Sequence, residues 1–158
     1  MSQPVERPRR VIVTNRKAQH LYHILHRVEA GIVLQGSEVK SLREGKVNLT
    51  DAYAAFREKD KLELWLFNLH IAPYSHGSYA NHLPTRPRKL LLHRRELVRL
   101  RSMVEEKGMT IVPLQLYFSG PFVKVELGVV RGKKLYDRRE DIKARDAERA
   151  MRRAASSE

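Results

Sequence analysis

Three carboxylates, Glu29, Glu38 and Asp51, and three histidines spaced three apart, His20, His23 and His26, are the side chains of this chain best suited to hold a metal or move a proton. Mg2+-assisted phosphodiester hydrolysis needs carboxylates that converge on one ion, and no D-x-D or E-x-K cluster singles these three out. Structural roles are expected for them. On a helix only neighbouring members of the histidine set approach one another, on a strand they alternate faces, and no fourth ligand is evident. Histidines at the surface or facing RNA are the better reading. The chain has neither G-x-x-x-x-G-K-[ST] nor G-x-G-x-x-G, and its lack of cysteine removes thiolate nucleophiles, Cys-type zinc sites and disulfides. No catalytic residue, metal or cofactor is expected, and the chain reads as a binder.

Binding chemistry is far better represented. Arg86, Arg88, Lys89, Arg94, Arg95, Arg99 and Arg101 fall within sixteen residues whose one acid is Glu96. A solvated helix face explains part of this density. The Arg86-Pro87-Arg88-Lys89 cluster reads as loop, where phosphates are within easy reach, so these cations are weighted above Arg99 and Arg101. A second basic segment, residues 131–153, holds ten Lys and Arg against five Asp and Glu and has no continuous apolar face. Asp141 with Arg145 and Glu148 with Arg152 are acid-before-base pairs at i, i+4, which permit a helix without securing one. An isolated helix shorter than about 12–15 residues is marginal in water. The segment is therefore expected to be disordered alone and to fold on a polyanion. Tyr22, Tyr79 and Tyr136 lie near basic stretches and can stack on unpaired bases, although a packing role suits Tyr22 better.

The whole chain is basic: 158 residues, 31 Lys and Arg against 18 Asp and Glu, and a formal charge of +13. That length suits one domain, and 42% apolar residues can build a core. The positive excess points to nucleic acid or an anionic membrane. No apolar run of about 18 residues is available to span a bilayer, and the N-terminus lacks the apolar stretch of a secretory signal. A cytoplasmic protein without a membrane partner is expected.

The elements that must carry these residues follow from periodicity. Residues 1–10 are Pro- and Arg-rich and read as a flexible arm. Tyr22 to Leu34 fits both a helix and a strand, with a strand favoured for its second half, where Ala30 to Leu34 is β-branched. Ser37 to Arg43 reads as a short helix capped by Ser37. Ala52 to Arg57 and Leu62 to Phe67 form a hairpin pattern in which Leu62, Leu64 and Leu66 point inward. A long polar loop, Pro73 to Pro87, is expected to be functional or mobile. His93 to Lys107 is a helix with Leu97, Leu100 and Val104 on its buried stripe and Gly108 at its stop. Val112, Leu114, Leu116 and Phe118, then Val123, Val125, Leu127 and Val129, alternate as two strands around the turn at 119–121. Six or so strands with short flanking helices predict a mainly β domain over residues 11–130, an OB-like antiparallel barrel, followed by a disordered basic tail, 131–158.

Five stretches carry a resemblance that composition cannot supply: Asn15-Arg16-Lys17-Ala18, Glu29-Ala30-Gly31, Leu34-Gln35-Gly36-Ser37-Glu38-Val39-Lys40-Ser41-Leu42-Arg43, Arg88-Lys89-Leu90-Leu91-Leu92, and Gly132-Lys133-Lys134. In this order they resemble the SmpB family of SsrA-binding proteins over about residues 12–145. The resemblance implies an OB-like barrel that binds the tRNA-like domain of transfer-messenger RNA (tmRNA), and delivery of that RNA with elongation factor Tu to stalled ribosomes. RNA contacts are expected from Asn15, Arg16, Lys17 and His20, from Gly36, Lys40 and Arg43, and from Arg86, Arg88, Lys89 and Lys124. Glu29 is implied on the RNA face, where a carboxylate accepts from base or ribose donors, with Leu91 packing beside it. His93 stands where the family commonly has Asn, so one imidazole replaces an amide's paired donor and acceptor. Lys133 and Lys134 follow Gly132 and reach for phosphates. The tail is implied to enter the empty mRNA channel of the small subunit and fold at the decoding centre. Tyr136 stands there where many relatives carry His, Asp137-Arg138-Arg139 resembles the usual Asp-Lys-Arg, Ile142 follows, and Ala150-Met151-Arg152 approximates an apolar-Met-Lys element at a shorter spacing.

Overall fold

The computed structural model describes residues 8–75 and 81–132. Nine strands and three helices lie among them: β1 (Arg9–Thr14), α1 (Arg16–Leu21), β2 (Tyr22–Ile32), α2 (Gly36–Arg43), β3 (Val47–Asn48), β4 (Tyr53–Phe56), β5 (Leu64–Phe67), β6 (His70–Ile71), β7 (Arg88–Leu91), α3 (Arg94–Lys107), β8 (Thr110–Ser119) and β9 (Phe122–Gly132). Antiparallel pairing runs β8-β4-β5-β7-β2-β9 and returns to β8, a closed ring. Closure removes the open sheet edges that would otherwise template pairing with other chains. The small β3-β6 ribbon stands apart from it. This is the mainly β antiparallel barrel that the periodicity predicts.

Residues at period two on β2, β5 and β9 supply the core. Val28, Ala30 and Ile32, Leu64 and Leu66, and Val123, Val125, Leu127 and Val129 all face it. On β8 the expected single-faced alternation is wrong, because the register shifts between Pro113 and Gln115. Such a bulge reverses the phase of every later side chain. Ile111, Leu116 and Phe118 face the main core, while Val112 and Leu114 join Ala18 and Val130 in a second cluster under α1. One strand is thus buried on both faces.

Four local expectations need correction. β1 starts at Arg9 and pairs with β8, so Arg9 and Arg10 belong to the sheet and not to an arm. β2 extends over the whole ambiguous stretch from Tyr22, because its pairing with β9 from Tyr22↔Gly132 to Gly31↔Lys124 outweighs the local helical period. The same pairing holds Arg131 and Gly132 in the barrel, so the tail boundary falls after Gly132. Helix α2 is capped from Gln35, whose N–H donates to Glu38 Oε1 at 2.8 Å, and the Ser37 hydroxyl instead meets His82 Nδ1 at 2.9 Å. Helix α3 begins and ends as expected: the His93 N–H donates to Glu96 Oε1 at 3.2 Å, and Gly108 takes φ 64° at the stop.

Candidate nucleic-acid interface

Two patches collect most of the residues that the sequence nominates. The first is the outer face of β7, β2 and β9. Gly31 on β2 is opposite Leu91 on β7 and Lys124 on β9. A Cβ at Gly31 would stand 3.3 Å from Leu91 Cβ, so the glycine gives Leu91 its place. Leu91 and Val33 remain about half exposed, at 52% and 46%, and put apolar surface on this face. Glu29, two residues before Gly31, is exposed on the same face, and His93 caps α3 two residues beyond Leu91. Lys89 lies farther along β7, 3.7 Å from Glu63. An apolar spot edged by one carboxylate, one imidazole and two amines can take a base or ribose edge while phosphates pair with the cations.

The Glu29 carboxylate does not stand alone. Its Oε2 accepts from the Tyr117 hydroxyl and from Arg9 Nη2, the latter at 3.3 Å. Arg9 also reaches Glu126 at 3.5 Å, and Arg27 donates to the other Glu126 oxygen at 2.8 Å. Burial, reinforced by the hydrogen bond to Glu29 and its charge, pushes the Tyr117 phenol well above its usual range. Sequence reading missed Arg9, Arg27, Tyr117 and Glu126. The alternation on β8 did hint at Tyr117, as the aromatic between Leu116 and Phe118.

The second patch is α1, which sits over the second cluster beside the end of β9. Arg16, Lys17 and His20 are exposed there, near the point where Gly132 pairs with Tyr22. Tyr22 packs against that cluster, the packing role expected of it. His23 and His26 lie on β2. Asn15 does not belong to this surface. It is 7% exposed, its Oδ1 accepts from the Ala18 N–H at 3.2 Å, and its Nδ2 donates to the Pro113 carbonyl at 2.9 Å. Buried and committed to capping and to cross-strand anchoring, this amide is not presented at the surface. On α2, Gly36 and Lys40 are exposed, Lys40 over the Tyr74 ring at 5.4 Å, and Arg43 borders a cleft of about 420 Å³ with Arg9 and Arg10.

The cations expected to carry the loop contacts are mostly withdrawn from solvent. Arg88 is fully buried on β7, donating from Nε to Glu38 Oε2, from Nη1 to the Leu69 carbonyl at 2.6 Å and from Nη2 to the Pro84 carbonyl at 3.0 Å. Arg86 grips Glu38 Oε1 and has a side chain 22% exposed. Burial by itself would raise the Glu38 carboxyl. Hydrogen bonds from Arg86, Gln35 and Arg88, with the Arg88 charge, outweigh it and hold the group below the usual carboxylate range. A buried guanidinium paired in this way cannot reach a phosphate, so Arg88 is structural, as is Glu38. On α3, by contrast, Arg94, Arg95 and Arg99 are exposed, and Arg95 and Arg99 line a cleft of about 390 Å³ with His26 and Glu29. Among the described residues no three His, Asp or Glu side chains converge on a metal position, and no helix is long and apolar enough to cross a membrane. Tyr79, Lys133, Lys134, Tyr136, Asp137, Arg138, Arg139, Ile142 and Met151 lie outside the described residues.

Known proteins share both this sequence and this barrel. The family model described as SmpB protein matches residues 12–157. The SsrA-binding protein of Carboxydothermus hydrogenoformans is 54% identical over 145 residues, covering 92% of this chain and 95% of that protein. The SsrA-binding protein of Chloroflexus aggregans is 57% identical over 145 residues, covering 91% and 90%. A chain in the solved structure described as "tmRNA-SmpB: a journey to the center of the bacterial ribosome" is 56% identical, with a TM-score of 0.64, over 78% of this chain and 85% of that one. With the family's match running from β1 past the end of β9, and with the barrel shared as well as the sequence, this chain belongs to the SmpB family.

Proposed function

We propose that this chain binds tmRNA and acts with it on the ribosome in trans-translation. The observation that carries the reading is the exposed face around Gly31, where Glu29, Leu91, Lys124 and His93 gather on a barrel like that of the tmRNA-SmpB structure. The protein works by binding and positioning, in the cytoplasm, with no chemistry of its own. The barrel grips the tRNA-like domain of tmRNA. The segment after Gly132 enters the vacant mRNA channel, and its basic side chains stand in at the decoding centre for the missing codon and anticodon. Elongation factor Tu is engaged through the RNA. Support for two separate RNA contacts comes from charge: residues 21–130 and 131–158 each carry a positive excess, +5 and +4.

A titration of the protein against the tRNA-like fragment of tmRNA and against an ordinary tRNA, at one near-physiological salt concentration, tests this. Clear preference for the tmRNA fragment is expected. Equal binding would favour a general RNA-binding or ribosome-assembly protein, a reading for which the overall charge of +13 alone would be sufficient.

A further inference from the structure

A carboxylate is an awkward group for an RNA interface, because it repels the phosphates that the neighbouring lysines attract. In this barrel the difficulty is doubled: Glu29 on β2 faces Glu126 on β9 in register, two like charges on adjacent strands. The residues around them resolve it in a specific way. Arg9, from the first strand, lies with its guanidinium 4.2 Å above the Tyr117 ring and extends one nitrogen to each carboxylate, at 3.3 Å to Glu29 and 3.5 Å to Glu126. Arg27 holds Glu126 from the other side at 2.8 Å. Beneath them the buried Tyr117 donates its hydroxyl to Glu29.

The two bonds to Glu29 are not spread over the carboxylate. Tyr117 and Arg9 both address Oε2, and no described residue donates to Oε1. One oxygen is anchored and the other is presented. A carboxylate held by one oxygen loses much of the rotational freedom that an exposed Glu side chain otherwise keeps, so less entropy is lost when it meets a ligand. Tyr117 keeps its proton as a donor throughout the neutral range, because burial and the Glu29 charge both oppose ionisation.

We propose that Tyr117 and Arg9 are positioning residues for RNA binding, which anchor Glu29 through Oε2 so that Oε1 alone accepts one donor from the RNA, a ribose 2′-hydroxyl or a base amino group. This rests on Glu29 lying in the tmRNA interface. A single presented oxygen suits one donor better than the adjacent pair of N–H groups on a guanine Watson-Crick edge, which a carboxylate meets best with both oxygens. Arg9 also acts through its charge, which offsets the facing Glu29 and Glu126 so that the local field still admits phosphate.

The test is a double-mutant cycle on binding of the full chain to the tRNA-like fragment of tmRNA, with Tyr117→Phe, Glu29→Ala and the two combined. Tyr117→Phe keeps the buried ring and removes only the donor. A hydrogen bond to a charged group corresponds to about tenfold in affinity, so Tyr117→Phe is expected to bind about 5–10-fold more weakly. In the Glu29→Ala background it is expected to change affinity by less than about twofold, because its only route to the RNA is gone. A merely structural tyrosine would weaken binding equally in both backgrounds, and that result overturns the proposal. So does full affinity of Tyr117→Phe while Glu29→Ala binds poorly, which would leave Glu29 in the interface without its anchor. Unchanged affinity of Glu29→Ala would remove Glu29 from the interface, and the proposal with it. Arg9→Lys supplies an independent arm. It keeps the charge but loses the fork that spans two carboxylates, so affinity should fall with the salt dependence of binding unchanged. A fall that disappears at high salt would make Arg9 a simple phosphate contact and overturn its positioning role.

Discussion

Replacing Arg88 with Met separates the two roles that sequence and structure assign to that residue. An arginine beside Lys89 and Leu91 reads as an RNA contact, whereas in the barrel it has no exposed surface and binds Glu38, the Leu69 carbonyl and the Pro84 carbonyl at once. Arg88→Met keeps most of the side-chain volume and removes every donor. Glu38 is then left buried with Arg86 and the Gln35 N–H, and two carbonyls lose a partner. Removing one partner of a buried ion pair costs about 3–5 kcal/mol. In a chain of this size each kcal/mol corresponds to about 2–4 °C in melting temperature, so the variant should melt about 6–20 °C below its parent. Thermal and urea unfolding read this directly. RNA binding, measured well below the variant's melting temperature, should stay within about twofold of the parent, because no removed atom faces solvent. Lys89→Ala should show the converse, weaker binding with little change in melting, since a surface contact of this kind contributes about 0–1 kcal/mol to folding. An Arg88→Met protein that melts like its parent but binds RNA tenfold more weakly would refute the assignment of Arg88 to the buried network.

Glu38 also sets a pH dependence. Its carboxyl is held below the usual value in the fold, so its stabilisation is present above about pH 4.3, the ordinary Glu value, and is lost as pH falls through the lower folded value. Glu38→Gln should therefore lie furthest below the parent in stability at neutral pH and approach it in acid, as unfolding measured from pH 7 to pH 2 will show. Gly31→Val should weaken RNA binding more than it lowers melting temperature, because even a Cβ stands 3.3 Å from Leu91 and the branched side chain must displace it from the exposed face. Truncation after Gly132, which keeps every strand pair of the barrel, should leave affinity for the tmRNA fragment nearly intact and abolish tagging of stalled peptides. Equal loss of both activities would contradict the division between barrel and tail.

Much of the barrel was legible in the sequence because strand burial is a local, period-two signal. Val123 to Val129 on β9, the hairpin of β4 and β5, and α3 with its Gly108 stop are all where alternation and capping chemistry put them. The errors have a common physical source. A bulge at Pro113 to Gln115 changes which face a residue takes without altering its own type, so β8 could not be split between two cores in advance. Arg9 and Arg10 lack any periodic pattern and are ordered only because β8 offers pairing partners about 110 residues later in the chain, Ser119 and Phe118.

Charge, length and motif order by themselves determined that this is a small basic RNA-binding protein of the SmpB type, since those properties belong to the chain whatever its fold. Which cations stay exposed could be decided only by the tertiary structure. Arg88 and Lys89 are adjacent and chemically alike in the sequence, yet one is locked to Glu38, 50 positions away, and the other remains at the surface. Glu29 is likewise aimed by Tyr117, 88 positions away. The physical reason is that burial and ion pairing depend on which residues meet across the barrel, and strand pairing brings together residues whose separation in sequence carries no local signal.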